Sequence, residues 1–492
     1  MITSYKKIKD FKNMSSSQLS IFNFKTKNVY KLNDLLSREI TSSDNGIEVG
    51  SNNYIKKSNK IFMKAKAVQD YNFLPIINKE TSEYIKPLAF YQMSLKQGDI
   101  IISKDSNIGE ACILNKDYND LMLSSAFYRL PIIDNKLYIF SFIKSKYFKN
   151  QLNILAPKGA TIRHAGKKFL ECYIPFPTDK KVIEYITLLT QVIINLEESI
   201  VKKDQKIIEL IDNELVNGCK KQNVNIVTLK YSELKQLQRF DVSIFSDKYK
   251  LIKNLIENYK FGNSSFDELG YSITRGQNLQ ISNIGKSIYS DKYINDNFYQ
   301  LVLSNSITNN MSFRTEMFLG SKKNLKKLKY GDIIFTCRGN LGRCFINCSN
   351  SNKIITNIDN VHICSNTSTL YNKVMVGCFL HYLKEKEYLK NISIQGSGAD
   401  SFTKYHFDMI KIPNFPEEIE KELTYVYCNT IVEELNMSNF ENEILKYGIF
   451  YLEKIKECIR DEINLCFNYI INDEHIEIDY RFKNLVFKIK NI

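Results

Sequence analysis

Two long stretches of the chain carry apolar residues at helical spacing. From Val182 they fall at Val182, Ile186, Leu189, Ile193, Leu196 and Ile200, then at Ile207 and Leu210. This four-three alternation is a heptad seam, interrupted only by Lys203. Pro175 and Pro177 mark where irregular chain gives way to the helix. The second stretch follows Pro416, where Glu417 and Glu418 suit a helix N-terminus. It continues through Ile419, Leu423, Val426, Ile431 and Leu435, and then through a cleaner seam at Leu445, Ile449, Leu452, Ile459, Ile463, Cys466 and Ile470. The spacing predicts helices over 179–222 and 417–472, each roughly 35–50 residues or about 50–75 Å long. Two such seams are expected to pack antiparallel on each other, the alternative being that each lies on its own domain. The tail, 473–492, reads as a short strand-like extension.

Between these stretches the pattern shortens to strands, and it repeats. Leu95 to Ile113 reads LKQGDIIISKDSNIGEACI, and Leu328 to Ile346 reads LKYGDIIFTCRGNLGRCFI, an ungapped match at an offset of 233. Gly98/Gly331, Asp99/Asp332, Ile100/Ile333, Ile101/Ile334, Asn107/Asn340 and Gly109/Gly342 are identical pairs. Each copy predicts a Gly-Asp turn, a strand, a polar turn and a second strand, which is a hairpin. Downstream, Gly159-Ala-Thr-Ile-Arg leads to Ile174-Pro175, and Gly396-Ser-Gly-Ala-Asp leads to Ile412-Pro413. Upstream, Val29-Tyr-Lys-Leu matches Val227-Thr-Leu-Lys. The ordered matches predict a tandem repeat of about 200 residues. The expected architecture is two mixed α/β domains, 1–178 and 223–416, each followed by a long helix in a pseudo-twofold arrangement.

Charge sharpens this picture. The 492-residue chain has a net charge of +14. The two domain stretches carry +12 and +10, while 179–222 and 417–492 carry −1 and −7. Two basic bodies on neutral-to-acidic connectors suggest two grips on one polyanion, the plainer alternative being solvated lysine faces. No apolar run reaches the roughly 18 residues that span a bilayer, and the N-terminus lacks a secretory core, so a cytoplasmic location is expected. The 11 cysteines are expected as reduced thiols rather than a disulfide framework. Cys337, Cys344 and Cys348 match no zinc spacing, and no metal site is expected.

The motifs of catalysis are missing. No Asn/Asp-Pro-Pro-Tyr/Phe run marks an amino-methyltransferase, no GxxxxGK[ST] cradles ATP, and Gly396-Ser-Gly398 is no dinucleotide fingerprint. His164, His362, His381, His406 and His475 are scattered. Asp99 and Asp332 occupy matching positions, but each sits in a Gly-Asp turn where capping of the backbone explains it.

A repeat of this form, with Gly98-Asp-Ile-Ile-Ile-Ser and Asn107-Ile-Gly109 in one half and Gly331-Asp-Ile-Ile-Phe-Thr and Asn340-Leu-Gly342 in the other, resembles the specificity subunit of a type I restriction–modification system. The Ile-Pro pairs, the helices and Arg239-Phe-Asp-Val-Ser add to the resemblance, which covers nearly the whole chain. It implies two target-recognition domains, each reading half of a bipartite duplex DNA site, with the helix length setting the spacer. It further implies a non-catalytic chain that binds no cofactor. Two copies of a methyltransferase subunit would dock on the helices and bring S-adenosylmethionine, with or without a translocating restriction nuclease. The side chains expected near DNA are Lys104, Lys158, Arg163, Lys167 and Lys168 in the first half. In the second they are Arg275, Gln277, Lys322, Lys323, Arg338, Arg343, Gln395 and Lys404, with Lys326 and Lys327 in the same lysine run. Two other readings stay open: a coiled-coil scaffold binding nucleic acid without sequence preference, and a nuclease or methyltransferase with an unfamiliar active site.

Overall fold

A computed structural model describes residues 23–105, 107–155, 166–220, 246–314, 317–349, 353–395, 400–431 and 434–492. The matches at Val227, Arg239, Gly159 and Gly396, with Lys158, Arg163 and His164, lie outside the described residues. The chain divides into two compact units. Unit 1 comprises Met1–Glu197 with Cys458–Lys488, and unit 2 comprises Glu198–Glu457 with Ile489–Ile492.

In unit 1, β1 (Val29–Lys31) pairs with β8 (Tyr173–Pro175), so the Ile-Pro strand closes the domain against its opening strand. A three-stranded sheet runs β3 (Ser82–Tyr84), β2 (Ile61–Met63), β6 (Leu121–Leu123), with β2 and β6 parallel. A second runs β5 (Ala111–Ile113), β4 (Ile100–Ser103), β7 (Phe127–Leu130). Phe62, Met63, Ile85, Leu95, Ile101 and Leu121 form a core, all but fully buried. Helices α1 (Lys136–Ile143) and α2 (Lys146–Leu155) follow.

Unit 2 repeats this order. Helix α3 (Lys180–Gly218) precedes it, followed by α4 (Asp247–Glu257). Strand β9 (Asn263–Ser264) pairs with β20 (Ile412–Pro413). Among the described residues the partner of the second Ile-Pro is therefore 263–264, at almost the hairpin offset from β1. One sheet is ordered β10 (Ser272–Arg275), β17 (Asn360–Cys364), β14 (Ile333–Thr336), β15 (Cys344–Ile346). The other is ordered β11 (Ser287–Ser290), β13 (Phe318–Ser321), β12 (Phe298–Val302), β16 (Ile354–Thr356), again with one parallel pair, β12 and β16. A short helix, α5 (Ile281–Ile284), precedes β11; α6 (Leu370–Glu385) and α7 (Tyr388–Ile392) stand where α1 and α2 stand in unit 1.

The predicted seam of α3 holds through Ile207; beyond it Leu210 is only half-buried and the neighbouring Ile211 is the buried position. Val182, Ile186, Leu189, Ile193, Leu196, Ile200 and Ile207 are buried, and burial lowers the pKa of the Lys203 ammonium at the interruption.

The second predicted helix is corrected. The stretch forms α9 (Glu417–Cys428), α10 (Phe440–Ile444) and α11 (Ile449–Asn472) instead of one rod. Two local causes break it. The Asn436 side chain accepts the amides of Ser438 and Asn439 at 3.0 and 3.1 Å, and that of Asn439 accepts the Asn436 amide, a turn that competes with helix. The chain then folds back so that a Cβ on Gly448 would lie 2.4 Å from the Tyr427 carbonyl oxygen. The tail is likewise no strand, since α12 (Ile478–Lys490) is a helix. Its Phe482, Leu485 and Ile489 are buried at helical spacing, and Arg481 donates to both oxygens of the fully buried Glu462 carboxylate at 2.7 and 2.6 Å. Among the described residues no helix is long and apolar enough to cross a membrane.

Candidate nucleic-acid interface

The repeat hairpin is built the same way in both units. Asp99 Oδ2 accepts the Lys96 amide at 2.9 Å, and Asp332 Oδ2 accepts the Lys329 amide at 2.7 Å, so both aspartates close their turns. The Gly98 and Gly331 amides each donate across the hairpin at 2.7 Å, to Leu114 and Asn347. At the far end, Gly109 donates to Ser103 and Gly342 to Thr336. The turns that present Lys104 and Arg338 are thus fixed by backbone bonds common to both units.

A second shared feature escaped the sequence. In unit 1 the segment Asp44-Asn45-Gly46-Ile47 lies along β7, with Gly46 donating to Phe127 at 3.0 Å and Ile47 to Leu123 at 2.9 Å. In unit 2, Thr274-Arg275-Gly276-Gln277 does the same. Gly276 donates to Asn360 at 3.0 Å and Gln277 to Thr356 at 2.7 Å. These acceptors are related by the offset of the hairpin repeat. Both glycines are required by space: a Cβ would lie 1.9 Å from the Ser124 oxygen at Gly46 and 2.1 Å from the Asn357 oxygen at Gly276. The strap therefore presents Asn45 in one unit and Arg275 in the other from the same place.

Around the unit 1 strap, Lys104 Nζ donates to Asn45 Oδ1 at 3.1 Å and stands 4.7 Å from the Tyr128 ring centroid. Lys167 Nζ, donating to the Ile40 carbonyl at 3.1 Å, is 6.0 Å from the same ring. Lys104 and Lys167 are thus brought together at the Tyr128 ring, with Asn45 bonded to Lys104. Lys168 is drawn away to the Leu155 carbonyl at 3.2 Å. Below the strap, fully buried Asp44 accepts Arg38 at 2.6 and 2.8 Å and the Thr41 amide at 2.9 Å. Burial pushes its carboxyl up, but the bonds from Arg38 and Thr41 outweigh that and hold it well below the usual carboxylate range. Arg129 joins Asp44 at 3.4 Å and Asp99 at 3.6 Å, tying strap to hairpin.

Unit 2 gathers Arg275, Gln277, Lys326 and Arg338. The Lys326 amide donates to Gln277 Oε1 at 3.3 Å, and its ammonium bonds Thr274 Oγ1. Arg275 Nη1 donates to the Ile358 carbonyl at 3.1 Å and stays exposed. Burial pushes the Cys337 thiol up to about 12 against the opposing pull of Arg275 and Arg338, which lie near it. Arg343 Nη1 is turned to the Ile307 carbonyl at 3.2 Å, and Lys323 Nζ to the Asn283 carbonyl at 2.8 Å. Lys322 and Lys404 are exposed, the latter opening α8 (Lys404–Asp408). Gln395 pairs through its backbone with Asp400, in the two-stranded sheet of β18 (Ile394–Gln395) and β19 (Asp400–Ser401).

The brace beneath unit 2 differs. His362 Nε2 lies 2.6 Å from Asp332 Oδ2, at the place of the Arg129–Asp99 pair. With Cys364 these residues form the one group among the described residues close enough to share a metal ion. Asp332 Oδ2 is already committed to the Lys329 amide and His362, and the matching pair in unit 1 is a plain ion pair. A structural brace accounts for the group.

No protein-family model matches the chain, and no curated protein matches it. Among solved structures it is similar to the type I restriction–modification S subunit from M. genitalium, at 11% identity over 93% of this chain and 95% of that one, TM-score 0.36. It is similar to the HsdS subunit from Thermoanaerobacter tengcongensis at 11% identity over 91% and 97%, TM-score 0.27. The type IIG restriction endonuclease BpuSI matches at 13% identity over 51% of this chain and 37% of that one, TM-score 0.29. Identities and superposition scores this low do not carry function from one chain to another.

Proposed function

We propose that this chain is a DNA-reading specificity subunit of a type I restriction–modification system, non-catalytic in itself. The observation that carries the reading is the strap-and-hairpin edge. Each unit holds the same backbone frame rigidly and hangs different base-reading side chains on it, Asn45 and Lys104 in one and Arg275, Gln277 and Arg338 in the other. Asparagine and glutamine pair with adenine edges, arginine with guanine edges, and lysines with phosphates. A frame repeated with different readers suits a target of two unlike halves. The catalysis would belong to partners, two methyltransferase subunits carrying S-adenosylmethionine, joined in some assemblies by a restriction nuclease. The test is co-expression with a candidate methyltransferase subunit from the same genome, followed by genome-wide mapping of methylated bases. The expected result is one bipartite motif that disappears when this chain is omitted. Methylation independent of the chain would refute the proposal.

A further inference from the structure

In unit 2 the chain leaving the Gly276 strap runs through α5 into β11 and on into a turn. Within these 14 residues five large apolar side chains stand mostly in solvent: Ile281 at 72%, Ile288 at 66%, Ile294 at 60%, Tyr293 at 54% and Tyr289 at 53%. Among the described residues, strand β11 is the edge of its sheet and pairs only with β13. In register beside Ile288 is Gly320, over which the Phe298 ring lies so closely that a Cβ there would fall 2.7 Å from it. Ile288 thus shares its row of the sheet with Gly320 and Phe298, and it still stands mostly in solvent. Among the described residues, the corresponding sheet of unit 1, β3–β2–β6, has no strand at this place.

An exposed apolar edge of this kind invites a partner. The charge around it indicates which. Lys286, Lys292, Lys322 and Lys323 flank the arm, and Lys323 is fixed against the chain entering β11 by its bond to the Asn283 carbonyl at 2.8 Å. Of the two acids in the arm and turn, Asp291 and Asp296, the second is engaged by the Tyr293 hydroxyl at 2.7 Å. Lysine is depleted where proteins meet proteins and abundant where they meet phosphate backbones. Apolar side chains inside a lysine rim are the composition of a wedge that parts a base step while its rim holds the phosphates.

We infer that residues 281–294 form such a wedge, with Ile288 pressed against a base step of duplex DNA beside the sequence read at Arg275 and Gln277. The inference rests on the DNA-reading function proposed above and adds a mechanical consequence, a local kink made by one unit alone. Because deformability varies with base step, the wedge would also add preference at positions no side chain reads.

The experiment uses the full chain assembled with its methyltransferase and a duplex bearing the methylated motif. Single 2-aminopurine substitutions are stepped through the bases flanking the half assigned to unit 2. The wedge predicts a fluorescence rise of about threefold or more at one step, lost in the I288S/Y289S double variant, with binding weakened about tenfold and preference relaxed only at that step. Both side chains are exposed, so the thermal midpoint of the variant should match the parent, and a drop of several degrees would show that they are structural instead. No rise at any step while the motif duplex binds tightly would overturn the wedge and leave the reading function standing. Binding of the motif duplex no better than random duplex would overturn the reading function and the wedge with it. Protection of the β11 amides from hydrogen exchange by the methyltransferase without DNA would assign the patch to a protein partner and also overturn the wedge.

Discussion

The two units hold one frame with different materials. In unit 1 the strap rests on Asp44, clamped by Arg38 and braced by Arg129. In unit 2 a neutral Thr274 takes the place of Asp44, with Lys326 bonded to it, and the brace is His362 on Asp332. On the outer edge Asn45 stands in one unit where Arg275 stands in the other. What is kept is backbone: the hairpin turns, the two glycines and the bonds each strap makes to the sheet. What varies is side chain. Such a division leaves the frame on backbone bonds while the side chains along its outer edge differ.

That comparison can be broken most severely at the straps. Gly46→Val and Gly276→Val each force a side chain into a carbonyl about 2 Å away. Each should destabilise its own unit by more than about 3 kcal/mol, read as loss of protease resistance confined to that unit. A tolerated substitution would show that the strap is not fixed as described. Next in size, Ile101→Ala and Ile334→Ala remove matched, fully buried side chains and should cost about 2–5 kcal/mol each in urea titrations. Sharply unequal costs would contradict the shared frame.

Acid should separate the units. The Asp44 carboxyl has a folded pKa below its ordinary 3.8, so its contribution is fully present above that value. It is lost as pH falls below about 4 toward the folded pKa. Thr274 offers nothing comparable. Stability of unit 1 measured at pH 3 and at pH 7 should therefore fall by more than that of unit 2, and Asp44→Asn, costing about 2 kcal/mol at neutral pH, should abolish the difference. The smallest effect is expected at the periphery. Lys322→Ala should leave the motif intact and lower the salt dependence of DNA binding by about one ion.

Much of this frame was legible in the sequence. The ungapped match around Gly98 and Gly331 fixed both hairpins, and the heptad seam from Val182 fixed α3. The strap was not legible, because Asp44-Asn45-Gly46-Ile47 and Thr274-Arg275-Gly276-Gln277 share only a glycine; their likeness lies in which carbonyls they face. The two straps stand 230 residues apart, not 233, so the hairpin offset carried upstream misses the second glycine by three positions. The break at 429–448 was hidden because apolar spacing alone cannot reveal a chain that doubles back. Asn436, Asn439 and Gly448 were the signals. The sequence offered Lys104 and Lys167 as separate candidates in two loops; it could not show that both would approach the Tyr128 ring, or that Lys168, Lys323 and Arg343 would turn onto backbone carbonyls.

The central claim is that each unit reads its own half of one DNA site. The direct measurement is methylome mapping of cells carrying the methyltransferase with the parent chain, with Asn45→Ala or with Arg275→Ala. The account predicts a bipartite motif in which each variant relaxes one half, and a different half, by about 1–3 kcal/mol of discrimination at the affected base. Motifs that change in both halves together, or in neither, would contradict it.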